Sequence, residues 1–172
     1  PESRAEPASD PRRSTSLPHR LRSHPGNVLV VGSGTGNDVA AALRAGATRI
    51  DAVEIDPGVL RFGELHPVQP YRDPRVHAIL DDARHHLRQT TEYYDLIVYG
   101  LLASHTVLSG LSNVRIDSFV YTVEGFRDAR SRHKENGVLV LSFALITKDM
   151  GRKIHKMLEA AFDGRAPVCV EG

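Results

Sequence analysis

Three positions in this sequence combine the residue types and the spacing of a nucleotide site. The stretch "VVGSGTGNDV" places Gly32, Gly34 and Gly36 between an apolar run and a helical pattern. Glycines there permit a tight turn, let a ligand approach the backbone, and expose helix N-terminal N–H groups. The plainer reading of the same letters is a strand-to-helix turn with no ligand. Glu54 stands near the end of the run "RIDAVEID", 18 residues after Gly36, where an acid can accept hydrogen bonds from ribose hydroxyls. Charge-assisted bonds of that kind contribute about 1.5–3 kcal/mol; the plainer reading is a solvated strand end. Asp81 and Asp82 follow a third apolar run and precede Ala83. Asp82 either faces a ligand or caps the helix that starts at Ala83. Glycine loop, second-strand acid and third-strand acid together line one edge of a sheet.

A fourth stretch, "YDLIVYGLLASHT" (94–106), runs from a buried strand into a loop that carries Tyr99, Ser104, His105 and Thr106 but no Asp, Glu or Lys. His105 is the one loop residue that titrates near neutrality, so it is the candidate general base; the plainer reading is an exposed histidine with no role. Tyr99, Ser104 and Thr106 can orient an acceptor. The segment "SGLSNVRIDSFVYTVEG" (109–125) is expected to fold over the acceptor side. Tyr121 there either walls the pocket or joins the core. Asp117 is expected to pair with Arg115 or solvent, and Glu124 to sit in the first turn of a helix capped by Thr122. The adjacent His85 and His86 face different sides of a helix, and His66 and His77 have no neighbouring Cys or acid cluster. No metal is expected.

The elements that must position these groups alternate along the chain. Strands are expected at 27–32, 49–56, 75–80, 94–100 and 137–145, and helices at 37–46, 58–65, 83–91, about 122–134 and 148–162. In the last helix Met150, Ile154, Met157, Leu158, Ala161 and Phe162 share one face. Near-continuous apolar strands separated by helices predict an α/β fold: a Rossmann-like parallel sheet with helices on both faces. Residues 1–26 hold five of the ten prolines, five serines and five arginines, a composition that reads as a disordered linker ahead of a domain at 27–172. "HKENG" (133–137) is expected to turn the chain into the fifth strand.

Bulk composition narrows the function. Hydrophobic content of 41% and charged content of 25% belong to an ordinary globular protein. The net charge of +1 argues against nucleic acid or a membrane surface as the partner. The single cysteine, Cys169, excludes an internal disulfide and a zinc finger. The longest apolar run, "GVLVLSFALI", is interrupted by Ser142 and is too short to insert into a membrane. No secretory signal is visible. The chain is therefore expected to work in the cytoplasm, and its start at Pro1 suggests a piece of a longer protein.

"NVLVVGSGTGNDVAAAL", "IDAVEIDP", "ILDDARHHL", "YDLIVYG" and "FVYTVEGFRDARSR…NGVLVLSF" resemble the class I S-adenosylmethionine-dependent transferase fold, in its spermidine-synthase-like branch, over about residues 27–162. That resemblance implies a pocket for S-adenosylmethionine or its decarboxylated form, without a metal. Gly32, Gly34 and Gly36 would pass the methionine part, Glu54 would hold the ribose, Asp82 with Ala83 would face the adenine, and Ile55 would pack on its ring. A dinucleotide site would put its third glycine at position 37, which is Asn37.

The resemblance also implies two carboxylates after the fourth strand, in an Asp-x-x-Asp-Pro segment that binds and deprotonates an amine. This chain has "YGLLASHT" there. An alkyl amine of pKa near 10 is neutral in about one molecule per thousand at pH 7, a handicap of roughly 4 kcal/mol. Methyl transfer to a small-molecule acceptor tolerates the loss better, because in-line positioning alone contributes several kcal/mol. The expected function is accordingly a methyltransferase-like domain. The alternative is a non-catalytic domain that binds nucleotide or scaffolds a larger, membrane-attached protein. The fold family closes with two more strands, and only "APVCVEG" remains here. The closing strands are expected to be truncated, leaving the fifth strand as an edge that forms a homodimer or marks a chain cut short.

Overall fold

The computed structural model describes residues 18, 21–22, 24–100, 120–142 and 147–169. Five strands, β1 (Asn27–Val31), β2 (Arg49–Glu54), β3 (Val76–Leu80), β4 (Tyr94–Tyr99) and β5 (His133–Leu141), form one sheet of order β3-β2-β1-β4-β5. Every pairing is parallel. The expected α/β class and all five strands are present. The order turns around β1: the chain first builds outward to β2 and β3, then crosses back to β4 and β5. The crevice between the carboxyl ends of β1 and β4 is therefore the switch point, where open α/β sheets bind ligands.

Strand periodicity divides the core in two. Leu29, Val31, Ile97 and Tyr99 face one side of the sheet with Leu87, Phe126 and Ala129, while Val28, Val30, Leu96 and Val98 face the other with Val39 and Ala42. The first side is covered by α3 (Ala83–Gln89), α4 (Val123–Arg130) and α5 (Lys148–Ala161). The second is covered by α1 (Asn37–Arg44), whose Val39, Ala40, Ala41 and Ala42 are all buried. Short side chains on that face let the helix lie close to the strands, which fixes where its first turn ends up.

Local signals set the helix boundaries. The Asp56 side chain caps α2 (Pro57–Phe62) by accepting from Gly58 N and Val59 N, with Pro57 in the first turn. Thr122 caps α4 as expected, accepting from Gly125 N at 2.9 Å, and Thr147 caps α5. Arg84 and Arg88 both reach Asp128, tying α3 to α4.

Two expectations are corrected. "HKENG" does not turn the chain ahead of β5: the strand begins at His133, and the pairing jumps from Tyr94↔His133 to Leu96↔Val138, a bulge that absorbs these residues. Met150, expected on the buried face of α5, is 37% exposed. No strand forms over residues 165–169, and Val168 is 91% exposed, so β5 pairs with β4 alone among the described residues. Just ahead of β1, Pro25 is buried, and Arg22 lies 3.5 Å from Asp95.

Candidate functional site

The glycine loop leaves β1 at Gly32 and enters α1 at Asn37. Gly32, Gly34 and Gly36 have φ of 65°, 57° and 102°, the left-handed region that L side chains rarely adopt. Gly36 is doubly constrained, since a Cβ there would lie 2.6 Å from Pro70 Cγ. Having no side chain, it leaves α1 without a side-chain cap.

Glu54, the last residue of β2 and only 8% exposed, faces this loop. Its Oε2 accepts from Gly34 N at 2.9 Å, and its Oε1 accepts from Ile55 N at 2.9 Å and Asp56 N at 3.0 Å. A carboxylate has about four acceptor positions, so these three bonds leave about one open. Glu54 is thus more than the solvated strand end that the sequence allowed.

Ile55, next in the chain, is 47% exposed, an apolar surface of the kind that stacks on a base. Asp82 takes its capping role, with Oδ1 accepting from Arg84 N at 2.9 Å and His85 N at 3.0 Å. The cap holds Asp82 and Ala83 at the carboxyl end of β3, beside Glu54, because Asp81 N donates to the Glu54 carbonyl. Glycine loop, Glu54, Ile55, Asp82 and Ala83 therefore gather along one end of the sheet.

The acceptor-side residues divide differently. Ser104, His105, Thr106 and Asp117 lie outside the described residues. Tyr99 is not a loop group: it ends β4, is 1% exposed, and meets the Phe126 ring edge-on at 5.8 Å. Burial drives its phenol well above the ordinary range. Tyr121 packs against the same core, with its ring 6.4 Å from Phe126. The adjacent histidines diverge as expected. His85 Nδ1 pairs with Asp81, whose carboxyl is lowered mainly by that contact, whereas His86 Nε2 lies 3.2 Å from the Tyr94 hydroxyl and burial lowers its pKa. Among the described residues no three His, Cys, Asp or Glu side chains gather as metal ligands.

Sequence reading missed one residue of this site. Tyr71, in the 3-10 turn Pro70–Arg72, donates to the Gly34 carbonyl at 2.7 Å and lies 2.9 Å from Ser33 Oγ. Burial, with the charges of Glu54 and Asp38 nearby, pushes its phenol up to about 12, so it stays a donor at neutral pH. Its only sequence signal is an aromatic between two prolines in a polar stretch, "QPYRDP".

Comparison with known proteins adds a lineage to this geometry. The profile of the spermine/spermidine synthase domain matches residues 14–170. The polyamine aminopropyltransferase of Sulfolobus acidocaldarius is 30% identical over 121 residues, 67% of this chain and 38% of that protein. The chain thus spans well under half the length of the curated relatives it matches. Spermidine synthase from Thermotoga maritima superposes with a TM-score of 0.68 at 17% identity, covering 87% of this chain and 50% of that one. The ribosomal protein L11 methylase of Lactobacillus delbrueckii subsp. bulgaricus gives a TM-score of 0.63 at 19% identity, covering 87% and 67%. At such identities the structural matches establish the fold.

Proposed function

Because the chain belongs to the spermine/spermidine synthase domain family, we propose that its glycine loop and Glu54 bind a sulfonium nucleoside, S-adenosylmethionine or its decarboxylated form. The observation that carries this reading is the Glu54 carboxylate, 8% exposed and bonded to Gly34 N across the loop. The residues fit the ligand's parts. Glu54 would take the ribose hydroxyls, Ile55 would supply a face for the base, and the side-chain-free loop at Gly32, Gly34 and Gly36 would let the ligand's tail pass close to the backbone.

When bound, a sulfonium nucleoside supplies a carbon activated by the adjacent cationic sulfur. The chain's contribution is to bind and orient. Glu54 fixes the nucleoside at the end of β2, Tyr71 holds the Gly34 peptide in place, and the switch-point crevice directs the tail toward β4. "GLLASHT" after β4 contains no carboxylate, which favours methyl transfer to a small-molecule acceptor over aminopropyl transfer. The same absence favours the second reading, a domain that binds the nucleoside without turning it over. No helix among the described residues is long and apolar enough to cross a membrane, and the reading places the domain in the cytoplasm, where the nucleoside is available.

Titration calorimetry with S-adenosylmethionine, its decarboxylated form and NAD tests the pocket. Micromolar binding of a sulfonium nucleoside, weakened about tenfold or more by Glu54→Ala, is expected, with no response to NAD. Absence of binding by both sulfonium nucleosides would overturn the proposal. Release of the thioether product in the presence of acceptors separates the enzyme from the binding domain.

A further inference from the structure

β3 stands at one edge of the sheet and pairs with β2 alone among the described residues. Its backbone groups alternate between that partner and the open side. Ile50 N donates to the Arg75 carbonyl and Asp81 N donates to the Glu54 carbonyl, so the odd-numbered residues 75–81 bond to β2. Val76, Ala78 and Leu80 therefore turn their N–H and C=O groups outward. The Asp73 carbonyl takes the Val76 N–H. Among the described residues the outward groups of Ala78 and Leu80 have no partner.

Edge strands normally carry a device against pairing: a proline, a charged side chain, a bulge or a covering element. Val76–Leu80 holds no proline and no Asp, Glu, Lys or Arg, and its register with β2 is unbroken. Ala78 and Leu80 are exposed, Leu80 at 55%. In the connection leading to β3, α2 has no buried residue, and Phe62, Leu65 and Val68 at and beyond its end are exposed. β5, at the other edge, opens instead with a bulge and with Lys134 and Glu135.

We propose that β3 pairs with β3 of a second copy, antiparallel about a two-fold axis at Ala78, joining two sheets into one. The strand's own sequence selects that partner and that register. With Ala78 opposite itself, each Ala78 N–H meets the other copy's Ala78 carbonyl, and each Leu80 N–H meets the other copy's Val76 carbonyl. The Val76 N–H stays with Asp73. Val76 then lies across from Leu80 as an apolar pair, and Arg75 lies across from Asp81 at both ends of the ladder. An unrelated strand would match the bonds but not the two charges. Arg75 and Asp81 keep Asp73 and His85 as partners within their own chain, so the cross-strand charges choose the register more than they add affinity. A stable dimer buries about 1,200–2,000 Å² in total, more than two short strands supply. Phe62, Leu65 and Val68 are the exposed apolar surface available to extend the contact. The pairing is independent of what the pocket binds.

Cysteine cross-linking reads the axis directly, in a Cys169→Ser background because Cys169 is exposed. Ala78→Cys places two thiols across the axis at the roughly 5.5 Å Cα separation of a hydrogen-bonded antiparallel pair, within disulfide range. Mild oxidation is expected to give a covalent dimer. His77→Cys lies across from Ile79 and not from its own counterpart, so it is expected to stay uncross-linked. Sedimentation equilibrium of the wild-type chain should show a dimer whose Kd rises about tenfold or more with Leu80→Lys. An unchanged urea midpoint shows that this exposed variant is folded. A wild-type chain that remains a monomer throughout the micromolar range overturns the proposal. So does a dimer that survives Leu80→Lys, or one that cross-links as readily through His77→Cys as through Ala78→Cys.

Discussion

The Tyr71 hydroxyl donates to the Gly34 carbonyl at 2.7 Å, tying a 3-10 turn ahead of β3 to the glycine loop 37 residues earlier. The ring reaches that position because Gly63, at the end of α2, has no side chain: a Cβ there would collide with Tyr71 Cε2. The loop that would hold the nucleoside is therefore set by a contact distant in sequence, and two substitutions separate its parts. Tyr71→Phe keeps the ring and loses the bond, and should cost about 1 kcal/mol of stability. Gly63→Ala displaces the ring itself and should cost about 1–3 kcal/mol. Chemical denaturation orders the two; equal costs would mean that the ring's placement is unimportant.

Glu54→Gln tests the carboxylate without changing its shape. A glutamine has one acceptor oxygen, while the amide would turn its NH2 toward Gly34 N or toward Ile55 N and Asp56 N, where two donors would oppose each other. A loss of about 1–3 kcal/mol in stability is expected, together with at least tenfold weaker nucleoside binding. Retention of full affinity would show that the ribose is held elsewhere.

Much of the sheet was legible in the residues, and the exceptions share a cause. Strands β1, β2 and β4 are inner strands whose apolar runs match their burial, so type and position both follow from composition. β5 starts four residues before the expected Gly137 because His133, Lys134, Glu135 and Asn136 look like a turn, and only the pairing with Tyr94 makes them strand. Glu54, Asp82 and the loop glycines were legible because each sits at a strand end, where spacing carries the information. Tyr71 was not. Its place in the site depends on the bond to Gly34, which no local pattern encodes.

Asp95 gives the fold a defined acid response. Burial alone would raise its carboxyl, but the Lys134 ammonium at 2.8 Å and the Asn27 N–H at 2.8 Å outweigh burial and hold it below its ordinary value of 3.8. A group with a depressed folded pKa stabilises the protein above its unfolded pKa, and that contribution is lost as pH falls through the folded value. Urea unfolding free energies of wild type and Asp95→Asn should therefore differ at neutral pH, by about 1–3 kcal/mol, and converge as the pH falls below 3.8. Asp73, which the Arg75 hydrogen bond holds at about 2, titrates in both proteins and cancels in the comparison. A difference that persists unchanged into acid would assign the effect to packing.

The Tyr94 hydroxyl donates to Asp51 Oδ2 at 2.8 Å, and both residues are essentially buried, at 0% and 1% exposure. Arg49 Nε supplies Asp51 with a second donor at 3.1 Å. Tyr94 begins β4, at the end of the sheet opposite the glycine loop, so this network serves the fold and not the ligand. Tyr94→Phe leaves one buried carboxylate oxygen short of a donor and should cost about 1–3 kcal/mol. Asp51→Asn should cost a similar amount. The double variant should cost less than the sum, since each change removes the other's reason for being there, with a coupling of about 0.5–3 kcal/mol. Nucleoside affinity, measured in the same Tyr94→Phe protein, should be unchanged. An affinity that falls along with stability would mean that the two ends of the sheet are coupled through β4, and that the pocket depends on the whole strand rather than on the loop that Tyr71 and Glu54 hold.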